Sequence, residues 1–453
     1  MNLPTFLGGV HPPEGKTLSE GKAIETLRPT SSGQMFVYPL SQHIGAPCAP
    51  VVAKGDRVLA GQKIADTEAF VSAPIYSAVS GTVKDIALKL QVAGKFEDCI
   101  IIESDGTYEK APSLIDELGH KPQPSDYVKL IRDAGIVGLG GACFPTHVKL
   151  RPPKDKPIKW VIVNAAECEP YLTCDNRIML EEPDALLKGL EYALAIFPEA
   201  EGVIGVENNK PEAIKTLTEH NKNPKIKIQP LTVKYPQGAE KMLIKAITGQ
   251  EVPLVPALPA DVGCIVLNVQ TTWQIFRTIE YGEPITTRVI TVTGDIVASP
   301  KNQRVPLGIP VKELLDACGG FTEDPVKLLA GGPMMGLAMR SIDVPVVKGT
   351  GGLLALGKKS AYLAEESACI RCGKCVEVCP MHLEPTLLDH AVRQRDYETF
   401  EGHGGMNCIE CGSCAFMCPA SRHLVQSYKA GKDHVNQERR KAAAKAKEKA
   451  EAK

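Results

Sequence analysis

The chain reads as a multidomain α/β protein, and three observations predict it. At 453 residues it is too long for one hydrophobic core, so about three to five domains are expected. Between residues 40 and 104, short apolar runs are punctuated by glycine and proline, as in strand–turn–strand sequences. Between residues 125 and 285, apolar strands alternate with helix-length amphipathic stretches.

Residues 1–39 read as an N-terminal segment. They contain Gly9-Val-His-Pro-Pro-Glu-Gly15-Lys16-Thr17, which imitates a phosphate loop. The first glycine is one residue too far away, and Pro12 and Pro13 supply no N–H groups for a phosphate cradle. Residues 40–104 resemble the barrel-sandwich hybrid fold of biotinyl and lipoyl carriers, through Gly55-Asp-Arg-Val58 and Ala73-Pro74-Ile-Tyr-Ser-Ala-Val-Ser-Gly81. Such carriers need a lysine at the hairpin tip. Here that tip reads Thr67-Glu68-Ala69-Phe70, so the resemblance implies the fold without the swinging arm.

In the α/β region the pattern predicts a helix over Asp126–Ala134 and a strand over Trp160–Asn164. It predicts a helix near Asp184–Ala195, a strand over Val203–Glu207 and a helix over Met242–Ile247. Residues 286–345 return to β character around Arg288–Gly294, with a helix near Val311–Ala317. Residues 360–425 form a cysteine-rich module with a helix expected over Pro385–Tyr397. The tail, 430–453, is rich in Lys, Ala and Glu and reads as a solvated helix or a disordered segment.

The cysteines carry the chemistry. Of fifteen, eight fall in two copies of one phrase. The first is Cys369-Ile-Arg-Cys372-Gly-Lys-Cys375-Val-Glu-Val-Cys379-Pro380, and the second is Cys408-Ile-Glu-Cys411-Gly-Ser-Cys414-Ala-Phe-Met-Cys418-Pro419. This is the C-x2-C-x2-C-x3-C-P spacing of two-cluster ferredoxins, in which the fourth cysteine serves the other cluster. It predicts an α-helical module with one [4Fe–4S] cluster on Cys369, Cys372, Cys375 and Cys418. The second would sit on Cys408, Cys411, Cys414 and Cys379. Structural zinc is the competing reading of paired C-x2-C, but zinc uses four ligands in two pairs rather than two runs of four. The other seven cysteines are scattered and read as buried thiols.

A net charge of −1 gives no basic footprint, so nucleic-acid binding is not expected. No stretch approaches eighteen apolar residues, so no membrane span is expected, and nothing at the N-terminus resembles a signal peptide.

A second site is suggested by Gly138-Leu-Gly140-Gly141-Ala-Cys143-Phe144-Pro-Thr-His-Val-Lys149. Taken alone the glycines are a weak signal, because Cys143 stands where a dinucleotide fingerprint has its third glycine. Phe144 offers a face to a flat ring, and Lys149 a point charge to a phosphate. Asn164, Glu167 and Glu169 follow a buried strand at the end where α/β sheets bind ligands.

These residues, with Asn164-Ala-Ala-Glu167-Cys-Glu-Pro170 and Asp175-Asn-Arg177, are similar to the flavin loop of the NADH-binding flavoprotein subunit of respiratory complex I. With the opening Gly8-Gly-Val-His-Pro-Pro13 and the cluster module, residues 4–425 resemble the C subunits of Rnf (Rsx) ion-translocating electron-transport complexes. The resemblance implies a complex-I-flavoprotein-like FMN/NADH domain over 125–285 and a β-grasp (SLBB-like) domain over 286–345. It implies that Gly138, Gly140 and Gly141 approach FMN and that Phe144 and Lys149 meet nicotinamide nucleotide and phosphate. Asn164 and Glu167 would line the flavin edge, Glu240 would lie near the nucleotide, and Asn268 and Thr271 would face phosphate. Leu139, Ala166 and Ala239 depart from the pattern: the complex I protein has an arginine at the first and acids at the other two.

The implied activity is oxidation of NADH at FMN and delivery of single electrons through two [4Fe–4S] clusters. No side chain is expected to act as nucleophile or general base. The implied partners are integral-membrane and iron–sulfur subunits of the same complex, and through them ferredoxin or another low-potential acceptor. The implied location is peripheral, on the cytoplasmic face of the cell inner membrane. The competing expectation is an iron–sulfur electron conduit with no nucleotide site of its own.

Overall fold

The computed structural model describes residues 3–361 and 364–451 of the chain, with side chains described up to residue 446. The ends of the expected N-terminal segment (residues 1–2) and charged tail (452–453), and residues 362–363 of the cysteine-rich module, lie outside the described residues.

Four parallel strands form the sheet of the α/β region: Ile226–Leu231, Glu201–Glu207, Trp160–Ala165 and Cys264–Asn268, in that spatial order. Counted along the chain the order is 3-2-1-4. The topological switch point therefore lies between Trp160–Ala165 and Cys264–Asn268, where open α/β sheets bind ligands. Both strands are almost wholly apolar up to an asparagine near their ends, and Asn164 and Asn268 are register partners. Helices Pro124–Asp133, Pro183–Ile196 and Val269–Tyr281 cover one face. Helix Glu240–Thr248 covers the other, through Leu243 and Ile244 against Ile162 and Val266. Pro183 at the first position of its helix has no N–H to leave unpaired, which explains a start one residue before the expected Asp184.

Residues 35–104 form two small antiparallel sheets, Met35–Pro39/Phe96–Ser104/Gly81–Leu90/Arg57–Val58 and Ala49–Pro50/Lys63–Asp66/Ile75–Tyr76. The hairpin tip is tied down. Arg132 donates to both carboxylate oxygens of Asp66 and to the Thr67 carbonyl, and the His147 ring shares a hydrogen bond with the Phe70 carbonyl. A six-stranded mixed sheet follows, built on Thr287–Thr293, Lys301–Pro306 and Gly352–Leu356, with Glu25–Thr26 at one edge. It shares one apolar core with the small sheets, in which Phe36, Tyr38 and Ile64 meet Ile290, Val305 and Leu353.

The cysteine-rich module is helical. The helix expected over Pro385–Tyr397 ends at Arg393, and a second, Tyr397–Gly402, begins at the last residue of that stretch. Arg395 turns into the left-handed region at φ 58°, and the Asp396 side chain caps the new helix by accepting from the Thr399 N–H. The tail is a helix, Leu424–Glu451, whose first turns bury Leu424, Tyr428 and Val435 against Leu388 and Phe400. Among the described residues, no helix is long and apolar enough to cross a membrane.

Candidate functional site: a glycine loop and two thiol groups

The glycine loop lies over the switch point. An antiparallel bridge between Val137 and Pro145, with Gly138 N–H donating to the Phe144 carbonyl at 2.9 Å, pinches off residues 138–144. Phe144 is half-buried, and Gly140 and Gly141 at the tip are exposed with Ala142. A Cβ on Gly140 would lie 3.3 Å from that of Asn268, so only glycine lets the loop descend so close to the strand end. Among the described residues, the N–H groups of Gly140, Gly141 and Ala142 have no protein acceptor. Three consecutive N–H groups without a protein acceptor are free to meet a phosphate. They fit a phosphate-bearing cofactor such as FMN.

Of the residues expected around the loop, Thr271 and Asn268 touch it; Asn164, Glu167, Lys149 and Glu240 bond elsewhere. The Leu139 N–H donates to Thr271 Oγ1 at 2.8 Å. Asn268 caps the helix Val269–Tyr281 by accepting from the Gln270 N–H, and its Nδ2 donates to Asp175 at 2.6 Å. Asn164 Nδ2 donates to the Gly238 carbonyl at 2.7 Å. Lys149 pairs with Glu240 at 3.0 Å and also reaches the Val266 carbonyl, two residues before Asn268. Glu167 accepts from the Asp175 and Asn176 N–H groups at 2.7 and 3.2 Å, which caps the helix Cys174–Glu181. Burial, with the nearby Asp175 carboxylate adding, raises the Glu167 carboxyl from 4.5 to about 7, and Asp175 is raised by burial too.

Several residues of this crevice escape sequence reasoning. Lys16, from the mock phosphate loop, is buried and donates to the carbonyls of Glu167, Glu169 and Leu172. Lys210 donates to the Ala166 carbonyl at 2.7 Å. Two buried ammonium groups thus hold the turn 166–172, in which Glu167 itself sits at φ 45°. Glu169 accepts from the Met334 and Met335 N–H groups at 2.7 and 3.1 Å, so it organises a loop of the mixed sheet rather than facing the glycine loop.

The two cysteine runs share one backbone. Arg371 and Glu410 both lie at positive φ (53° and 57°), and Gly373 and Gly412 (78° and 84°) each cap a short helix, Lys374–Glu377 and Ser413–Phe416. The N–H groups of Arg371, Glu410 and Leu383 point at the sulfurs of Cys369, Cys408 and Cys379 at 3.3–3.4 Å. The thiols assemble crosswise. Burial raises the Cys375 thiol, and Cys418, Cys369 and Cys372 raise it further. Burial raises Cys414, with Cys411, Cys408 and Cys379 adding to it. Cys379, Cys408, Cys411 and Cys414 line one pocket, with Leu388 and Tyr428 among its apolar walls. Among the described residues, no three of these thiols lie within 4.8 Å of one another. Tetrahedral zinc, with Zn–S near 2.3 Å, would bring sulfurs to about 3.8 Å apart. The wider spacing and the cavity fit a multi-iron cluster instead.

The two sites touch. Tyr235, in the turn that leads to Gly238, donates to the Cys411 carbonyl. It packs with Val10 and Cys411, beside Cys168 and Met334. Gly9 N–H donates to the Val378 carbonyl, so the N-terminal segment clasps the first run.

A glycine loop over the switch point of a parallel sheet, joined to two cross-assembled groups of four thiols, points to a redox protein of the flavin and iron–sulfur class. The family models agree, segment by segment. The RnfC barrel-sandwich hybrid domain matches residues 4–107, the Nuo51 FMN-binding domain 131–277, the SLBB domain 289–338 and the 4Fe–4S dicluster domain 361–419. The chain is 44% identical over 439 residues to the C subunit of the Na(+)-translocating ferredoxin:NAD(+) oxidoreductase complex of Acetobacterium woodii, covering 96% of this chain and 98% of that one. It is 46% identical over 387 residues to the C subunit of the proton-translocating ferredoxin:NAD(+) oxidoreductase complex of Clostridium ljungdahlii, covering 85% and 84%. A crystal structure of NAD+-reducing [NiFe]-hydrogenase in the H2-reduced state shares the fold at a TM-score of 0.51 and 16% identity, covering 70% of this chain and 65% of that one. The chain belongs to the RnfC family, the C subunits of Rnf-type ion-translocating oxidoreductase complexes. It is an oxidoreductase component with an FMN-binding and a 4Fe–4S domain.

Proposed function

We propose that this chain takes hydride from NADH at the glycine-loop crevice and delivers the electrons singly, through two [4Fe–4S] clusters, to partner subunits at the cytoplasmic face of the membrane. The observation that carries the reading is the contact of Tyr235 with Cys411, which joins the crevice to a thiol group. Bound FMN would supply conversion of a two-electron donor to one-electron output, and the clusters one-electron transfer. The chain's own residues bind, orient and exclude water. Gly140, Gly141 and Ala142 offer N–H groups to a phosphate, and Lys149 and Glu240 stand ready to meet the nucleotide. Cys379, Cys408, Cys411 and Cys414 would hold the cluster beside Tyr235, and Cys369, Cys372, Cys375 and Cys418 the other. Ferredoxin would exchange electrons with the chain through the partners.

The relatives' names support this reading, and they divide on the ion: one complex is named for Na(+) and the other for protons, at 44% and 46% identity to this chain.

Anaerobically purified chain should carry about eight irons and one FMN. NADH should bleach the flavin before the cluster absorbance falls. Lys149→Met should raise the NADH KM about tenfold, with little change in kcat, because it removes a charged contact from binding. A chain with full iron and no flavin would instead establish the plain electron conduit.

A further inference from the structure

We propose that Arg288, on the mixed sheet, is a positioning residue of the flavin site, which sets the direction of the Leu139–Gly140 peptide. This rests on the flavin reading above. Arg288 is 1% exposed, one of the largest fully buried side chains. Among the described residues it forms no ion pair, and its Nε has no hydrogen-bond partner. Its two terminal nitrogens donate to main-chain carbonyls, Nη2 to Leu139 at 2.9 Å and Nη1 to Lys348. A buried guanidinium without a carboxylate partner is expensive to desolvate. Burial lowers its pKa, while Cys174, Cys143 and Asp175 favour the charged form.

The consequence follows from peptide planarity. Thr271 takes the Leu139 N–H and Arg288 takes the Leu139 carbonyl, so both polar groups of that residue are turned inward. In a trans peptide the Gly140 N–H then points the opposite way, to the exposed side of the loop. It is the first of the three free N–H groups. Lys348 extends the brace: its carbonyl receives Arg288, and its Nζ donates to Pro74 and Gly135 at 2.7 and 2.8 Å. Three domains therefore meet behind the loop. The cation comes from behind the loop, 149 residues further along the chain.

The test uses full-length chain with its clusters, stripped of flavin and titrated with FMN. Amide deuterium exchange is read over residues 137–146 in the flavin-free state, and iron content is the control. Arg288→Gln should weaken FMN binding at least tenfold and speed exchange in that segment, with iron content unchanged. Arg288→Lys, which keeps the charge but not the fork, should recover part of the affinity. If Arg288→Gln fails to fold, Arg288→Lys decides alone, by an affinity between wild type and none and by faster exchange. Wild-type affinity and wild-type exchange in the folded variants would overturn the assignment. A wild-type chain that binds no FMN would overturn the flavin reading, while the exchange comparison would still judge the brace.

Discussion

The Tyr235 hydroxyl donates to the Cys411 carbonyl at 2.6 Å, across 176 residues of sequence. It fastens the turn at the ligand-binding end of the parallel sheet to the second cysteine run. Gly412 lies in the same seam, where an added Cβ would meet the Met334 carbonyl at 2.8 Å. Burial raises the tyrosine pKa, with Glu169 adding, so the hydroxyl keeps its proton and remains a donor into the alkaline range.

Tyr235→Phe keeps the ring and removes the donor. A buried carbonyl left unpaired costs about 1–3 kcal/mol. Thermal unfolding followed by loss of cluster absorbance should shift down by a few degrees, with iron stoichiometry unchanged. An unmoved midpoint would mean that this contact does not hold the module in place.

The crosswise thiols make an asymmetric prediction. Cys411 and Cys414 are buried, whereas Cys369 and Cys372 are exposed. Anaerobic treatment with a chelator should release iron in two phases, the fast one from the group containing Cys369 and Cys372. Cys418→Ser should abolish the fast phase and Cys379→Ser the slow one, because each fourth cysteine serves the other run. Loss of the fast phase in Cys379→Ser would show that the runs are not exchanged.

Glu167 gives a pH signature. Its carboxyl is raised from 4.5 to about 7 by burial, so the folded chain holds this proton more tightly than the unfolded one. The contribution to stability is complete below about pH 4.5 and is lost as pH rises through about 7. It is on the order of 1–3 kcal/mol. Glu167→Gln removes it, so the melting temperature of the variant relative to wild type should climb between pH 5 and pH 8. Parallel melting curves across that range would show that the carboxyl titrates normally.

Much of the fold was legible because its signals are local. The helix Val311–Ala317 was readable from its own periodicity, and the strand Trp160–Ala165 from an apolar run ended by Asn164. The cysteine phrase carries its pattern within twelve residues. The break at Arg395 was hidden, because a left-handed turn needs no glycine when Asp396 restarts the helix. Lys16 was read only as a failed phosphate loop, since nothing near it announces three carbonyl acceptors more than 150 residues away.

What the amino-acid order determined by itself is the chemistry that short spacing can hold: two runs of thiolates, a glycine loop, and strands that must lie buried. Only the tertiary structure decided which groups face one another: Arg288 behind Leu139, Tyr235 on Cys411, Lys210 on Ala166. The physical reason is range. Backbone turns and ligand spacing act over a few residues, whereas a buried cation or hydroxyl finds its acceptor through the packing of whole domains, and that packing leaves no periodic trace in the chain.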